Sequence, residues 1–188
     1  MFRRLLPFVP LFALPVLFAA DKGADKGITK VSAAFEPAEA KPGQTVTLKL
    51  TVALGEGYHT YPLKQTDEKA KFMVNKLEFP KPGAVVFVGE ATDPANLGTK
   101  AEPDLGIKAM GYITDSAVYE RKAVVSPKAT AGKLTVTLPK FAVYVCDKDN
   151  CYPPKTFMPE AVLTVLDGPA VAVDAKYADE VSKATDGK

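Results

Sequence analysis

PGQTVTLKLTVA, residues 42 to 53, decides the fold class. Pro42-Gly43 is a turn signal, and beyond it Val46, Leu48, Leu50 and Val52 alternate with Thr47, Lys49 and Thr51. A period of two puts the apolar set on one face of an extended chain and the polar set on the other. The segment therefore reads as a strand with one buried face.

The same signature recurs on either side of it. GYHTYPL (57–63) reads as a short strand ended by Pro62, and FMVNKLEF (72–79), AVVFVGE (84–90) and AVYERKAVV (117–125) follow between Pro and Gly punctuation. Leu134, Val136 and Leu138 alternate again, FAVYVC (141–146) leads into a loop, and EAVLTVLDG (160–168) closes the series. Seven or eight short strands about ten residues apart, with no sustained helical period between them, indicate an all-β, immunoglobulin-like antiparallel sandwich. A parallel α/β sheet is disfavoured because its crossover helices are missing. Residues 92–107, TDPANLGTKAEPDLGI, read as a long Pro/Gly loop, mobile or functional. Residues 169–188 form a tail of weak helical character, with Tyr177 and Val181 on one face.

The N-terminus bears on compartment. Arg3-Arg4, the apolar run Leu5–Phe18 and Ala19-Ala20 have the three-part layout of a secretory signal peptide, residues 1–20, with cleavage expected after Ala20. Its core is short for a membrane span and is broken by Pro7, Pro10 and Pro15. DKGADKGITK, residues 21–30, reads as a flexible leader, and the folded domain is expected over 31–168. Loss of Arg3 and Arg4 takes the formal charge from +2 to zero, which leaves no electrostatic case for nucleic acid or an anionic membrane surface. No second apolar run is long enough to span a bilayer, so the mature chain is expected to be periplasmic or secreted, where thiols can be oxidised.

The chain's only two cysteines, Cys146 and Cys151, lie in VYVCDKDNCYPP, residues 143–154. A closed zinc site wants four ligands, and the chain adds only His59 to the two sulfurs, so no metal or other cofactor is expected. Asp-Lys-Asp-Asn between the cysteines has turn composition, and a turn there would bring the two side chains face to face. A disulfide closing so small a loop stabilises by only about 2 kcal/mol on the chain-entropy account, and a short exposed loop leaves it open to exchange. Structural clip and redox couple both remain open on these residues. Tyr144 and Tyr152 flank the pair; Lys148 and Lys155 would lower a thiol pKa there, while Asp147 and Asp149 oppose them. His59 reads as a packed or solvated strand residue, since nothing in the sequence supplies a partner to tune it.

CYPP at 151–154, with GEGYHTYPL at 55–63 and MGYITDSAVYERKAVV at 110–125 in the same order, resembles the N-terminal periplasmic domain of the thiol:disulfide interchange protein DsbD. The resemblance covers about residues 31–168. It implies an immunoglobulin-like fold whose Cys146–Cys151 disulfide takes electrons from one thioredoxin-fold protein and passes them to others. It also implies that Cys151 forms the mixed disulfide and that Cys146 is its internal partner. Tyr58 and Tyr61 would pack beside the pair, and Tyr112 would be the cap aromatic, completing with Tyr144 and Tyr152 an aromatic enclosure. Two departures stand out: the spacing is Cys-x4-Cys, one residue shorter than in the best-known members, and the chain ends at Lys188, so the electron donor is expected to be a separate protein. The alternative from another class is a non-enzymatic binding or adaptor module in which the disulfide only shapes a loop.

Overall fold

The computed structural model describes residues 26–186. The signal peptide and the first half of the leader read from the sequence, residues 21–25, lie outside that range. The chain runs through β1 (Ile28–Glu36), β2 (Glu39–Ala40), β3 (Thr45–Leu54), β4 (His59–Thr60), β5 (Lys76–Glu78), β6 (Val85–Thr92) and β7 (Gly98–Glu102). It continues through β8 (Ile107–Thr114), β9 (Ser116–Val125), β10 (Gly132–Thr137), β11 (Lys140–Cys146), β12 (Cys151–Phe157) and β13 (Glu160–Val165), and ends in a helix, α1 (Ala178–Thr185).

One layer is the sheet β1-β3-β9-β6; the other is tiled by β10-β13-β2 and by β12-β11-β4-β8-β7, with β5 beside β11. Pairing is antiparallel except for the short β2–β13 contact. The result is an all-β, immunoglobulin-like sandwich, the class that the alternation in 42–53 predicts. β3 shows why. Its Val46 and Leu48 enter the core shared with Leu163 and Val165 of β13, while Leu50 and Val52 enter the core shared with Phe141, Val143 and Val145 of β11. One amphipathic strand thus faces both halves of the opposing layer, and its side-chain period of two fixes the register of each.

Over β6 and the end of β9, the outer face of the first sheet is covered by the C-terminal segment. Val181 of α1 is buried against Val86, Val88 and Val124, with Val173, Tyr177 and Ala184 at the margin.

Four segments differ from the expectation. Residues 28–30 belong to β1 rather than to a leader, because Ile28 is buried and the strand pairs with β3 from Leu54 onward. The stretch 92–107 contains β7 and a 3-10 turn at Pro103–Leu105; hydrogen bonding to β8 orders residues whose composition is that of a loop. Only Lys76–Glu78 of the 72–79 run is a strand, since Met73 and Asn75 turn inward from irregular backbone. β12 is a strand despite Pro153-Pro154, which it accommodates at the sheet edge, where a missing N–H breaks no ladder on the outer side.

Candidate functional site

Strand register assembles the site. In β11, Cys146 stands opposite Cys151 of β12 on one side and His59 of β4 on the other. Residues directly opposite in antiparallel pairs share a face, and so do residues two apart along a strand. Cys146, Cys151, His59 and Tyr144 are therefore on one face of the sheet, and Tyr61 follows His59 onto it. Val143 and Val145, on the other face, belong to the sandwich core. A small second core lies on the site's face: Tyr61, Ala70, Met73, Ile107, Met110 and Cys146, with Tyr144 packed against it.

Cys146 and Cys151 form a disulfide, with Cα atoms 4.0 Å apart. The two sulfurs have different surroundings. Cys146 is 1% exposed, whereas Cys151 is open to solvent. The Tyr61 hydroxyl donates to Cys146 Sγ at 2.9 Å and lies 3.8 Å from Cys151 Sγ. Burial, reinforced by Tyr144 and Glu102, pushes the Tyr61 hydroxyl well above the usual phenol range, so it keeps its proton and remains a donor. His59 Nε2 lies 3.2 Å from the same hydroxyl. A disulfide sulfur has no proton to give, so with Tyr61 donating to Cys146 the consistent tautomer carries hydrogen on Nε2 and donates to the Tyr61 oxygen. Burial, and then the charge of Lys100, hold the imidazole pKa below its ordinary value.

Tyr61 is fixed from behind by a residue that the sequence did not single out. The two amide hydrogens of the buried Asn75 are shared among the Tyr61 carbonyl at 2.8 Å, Thr60 Oγ1 at 2.9 Å and the Tyr119 hydroxyl at 2.7 Å, and its oxygen accepts from the Tyr144 amide at 2.7 Å. Thr60 Oγ1 donates to the Tyr144 carbonyl, and the Tyr119 hydroxyl to the Tyr61 carbonyl. One amide thereby ties β4 to β11 and aligns both rings beside the disulfide. The segment after Tyr61 is held to β8 by Gln65, which bridges both backbone groups of Gly111, and by Asp67, which accepts from the amides of Lys108, Ala109 and Lys69. Those amides, Lys108 first, hold the Asp67 carboxyl below the usual range. A lone Asn, Gln or Asp carries no periodic signal, which is why sequence reading passes over all three.

The cysteine loop has its own clasp. Asp147 Oδ1 accepts from the amides of Asp149 and Asn150, and Asp147 Oδ2 accepts from the Tyr152 hydroxyl at 2.6 Å. The Tyr152 hydroxyl, more than the two amides, keeps the Asp147 carboxyl below its ordinary range, and Tyr152 is itself pushed up to about 12 by that bond.

The five expected tyrosines do not form one enclosure. Tyr61 and Tyr144 pack on each other with ring centres 5.5 Å apart, on the disulfide side. Tyr112 stands edge-on to His59 at 6.0 Å and does not line the cleft of about 170 Å³ beside the sulfurs. That cleft is walled instead by Lys100, Glu102 and Leu105 of the 92–107 stretch, together with Met73 and Met110. Tyr58, one residue before His59, faces the other way and pairs with Tyr152 at 6.3 Å; neither lines the cleft. Alternation through the extended segment 58–61 around β4 separates Tyr58 from Tyr61, an outcome that spacing by three already implies. Among the described residues, no group of three or more His, Cys, Asp or Glu is placed to hold a metal ion, and no helix is long and apolar enough to cross a membrane.

No family model and no curated protein matches the chain. Among solved structures, it is similar to the N-terminal periplasmic domain of ScsB from Proteus mirabilis, at 14% identity over 83% of this chain and 51% of that one, with a TM-score of 0.43. The chain thus spans about half the length of that structure.

Proposed function

We propose that this chain is an extracytoplasmic thiol–disulfide exchange domain, which accepts electrons from one thioredoxin-fold protein and passes them to another through Cys146 and Cys151. The observation that carries this reading is the asymmetry of the disulfide: an exposed Cys151 sulfur and a buried Cys146 sulfur that accepts a hydroxyl hydrogen bond. A thiolate can reach only the exposed sulfur, so attack at Cys151 forms the mixed disulfide and expels Cys146 as the leaving thiolate. A donor hydrogen bond to the departing sulfur stabilises the charge that develops there. A purely structural clip needs neither feature. It also has little to add, because the Asp147 carboxylate already organises the loop and a disulfide between residues five apart stabilises by only about 2 kcal/mol.

The resemblance of CYPP and GYHTYPL to the DsbD domain supports the same chemistry, as the signal-peptide pattern of residues 1–20 supports export with cleavage after Ala20. The decisive experiment is the reduction potential of the pair in the folded protein, measured against glutathione and against reduced thioredoxin. The expected value is above about −300 mV, with observable exchange; a lower potential and no exchange would assign the disulfide a structural role and favour a binding or adaptor module.

A further inference from the structure

Cys146 presents a chemical problem that the exchange reading leaves unsolved. When the disulfide opens, the electron pair of the S–S bond stays on a sulfur that is 1% exposed. A buried thiolate is costly, and although Cys146 borders the cleft, almost none of its surface is open to bulk water. A proton carried by a group already in contact with the sulfur neutralises it most directly. The atom next to Cys146 Sγ that carries a proton is the Tyr61 hydroxyl, at 2.9 Å, and the nitrogen next to that hydroxyl is His59 Nε2, at 3.2 Å. His59 is half-buried and lines the open cleft, so the line of groups runs from solvent to the buried sulfur.

We propose that His59, acting through Tyr61, relays a solvent proton to Cys146 Sγ as the disulfide is reduced. The step rests on the exchange reading and balances as follows. A partner thiolate attacks Cys151 Sγ, a new S–S bond forms to the partner, and the Cys151–Cys146 bond breaks with its electron pair on Cys146 Sγ. The Tyr61 O–H proton moves to that sulfur, the His59 Nε2 proton moves to the Tyr61 oxygen, and His59 Nδ1 takes a proton from water. The imidazole is neutral before and after, having exchanged one tautomer for the other; oxidation of the dithiol runs the same path backwards. No tyrosinate accumulates, which fits a phenol held firmly protonated.

The groups facing His59 are compatible with a neutral ring. Lys100 and Glu102 come from β7 and form an ion pair at 2.8 Å, Tyr112 comes from β8, and Asp147, Lys148 and Asp149 come from the cysteine loop. Burial and Lys100 disfavour the imidazolium, while Glu102 and Asp147 oppose them more weakly. A neutral imidazole, with one nitrogen donating and the other accepting, is the form that can pass a proton on.

The test is the rate of reduction of the full chain's disulfide by dithiothreitol, corrected to thiolate concentration and followed by alkylation of the released cysteines, in H2O and in D2O across pH 6 to 9. Tyr61→Phe should slow reduction about tenfold at neutral pH, and His59→Gln should slow it by a smaller, severalfold factor, in line with loss of a positioned proton donor. The wild-type solvent isotope effect of about twofold should fall to about one in both variants. His59→Gln can still donate to Tyr61, so a merely structural contact would survive it. A wild-type isotope effect and pH profile in His59→Gln, at any absolute rate, would overturn the relay. Since His59 is half-buried, that variant carries the test even where Tyr61→Phe fails to fold. Dithiothreitol needs no protein partner, so this outcome is independent of whether thioredoxin-fold proteins exchange with the chain.

Discussion

Asn75 Nδ2 stands 2.7 Å from the Tyr119 hydroxyl, and that contact joins the sandwich interior to the wall of the disulfide cleft. Tyr119 belongs to the core between the sheets, packed on Phe141, while the other hydrogen bonds of Asn75 reach the backbones of Tyr61 and Tyr144 and the Thr60 hydroxyl. The site is thereby braced against the sandwich core.

Asn75→Ala should therefore be among the costlier single changes. It strands the Tyr144 amide and weakens the satisfaction of the Thr60 and Tyr61 oxygens, with an expected loss of about 3 kcal/mol. Urea unfolding checks it: the midpoint should fall with the slope unchanged, and a loss near zero would mean that Asn75 braces nothing.

Cysteine variants should behave unequally. Cys146→Ala leaves the exposed Cys151 thiol and should accumulate a mixed disulfide with an oxidised thioredoxin-fold protein, seen as a mass shift on a non-reducing gel. Cys151→Ala leaves the buried thiol and should trap little. Equal trapping would reverse the assigned roles. Each variant should lose only about 2 kcal/mol of stability, so unfolding cannot account for the difference.

The Asp147–Tyr152 clasp makes a prediction about pH. The Asp147 pKa is lowered in the folded state, so the clasp's contribution is complete above the ordinary carboxylate value and is lost as pH falls through the depressed one. Tyr152→Phe should move the Asp147 carboxyl titration, followed by carbon NMR, upward toward about 3.9. In the reciprocal variant, Asp147→Asn, the Tyr152 phenol should titrate below its present value of about 12, read by absorbance near 295 nm. Unchanged midpoints would show that the 2.6 Å contact does not persist in solution.

Val181→Ala should weaken the docking of the C-terminal helix. Two methyl groups leave a site that is 3% exposed, at a cost of about 1.5 kcal/mol. Amide exchange in residues 175–186 should accelerate while reduction of the disulfide by dithiothreitol is unaffected; a slowed reduction would link the helix to the site.

The sequence carried the sandwich wherever burial is one-sided. Val46 to Val52 alternate because one face meets a core and the other meets water, and the same physics marks β9, β10 and β13. It was silent where tertiary pairing overrides composition: Ile28 in a Gly/Lys-rich stretch, Gly98–Glu102 in a Pro/Gly loop, and Pro153-Pro154 within a strand. Within the site, Cys146 and Cys151 were legible by chemistry and Tyr61 through its motif. The role of Asn75 depends on which strands adjoin β11, and no local pattern records that; the partnership of His59 with Tyr61, two residues apart on one face, was within reach of strand alternation. Tyr58 was expected beside the sulfurs from the resemblance of its motif, although alternation through the extended segment 58–61 places it on the opposite face from Tyr61.

β12 has a consequence beyond its place in the register. It is the end strand of its sheet, it begins at the exposed Cys151, and its Pro153 and Pro154 have no N–H. On the exchange reading Cys151 meets other chains, and β12 presents there a border at which two prolines cannot donate to a ladder that a visiting extended segment would add. Encounters at Cys151 can then end in release, and copies of the domain are kept from zipping together, edge to edge, at the place where they are most exposed to one another.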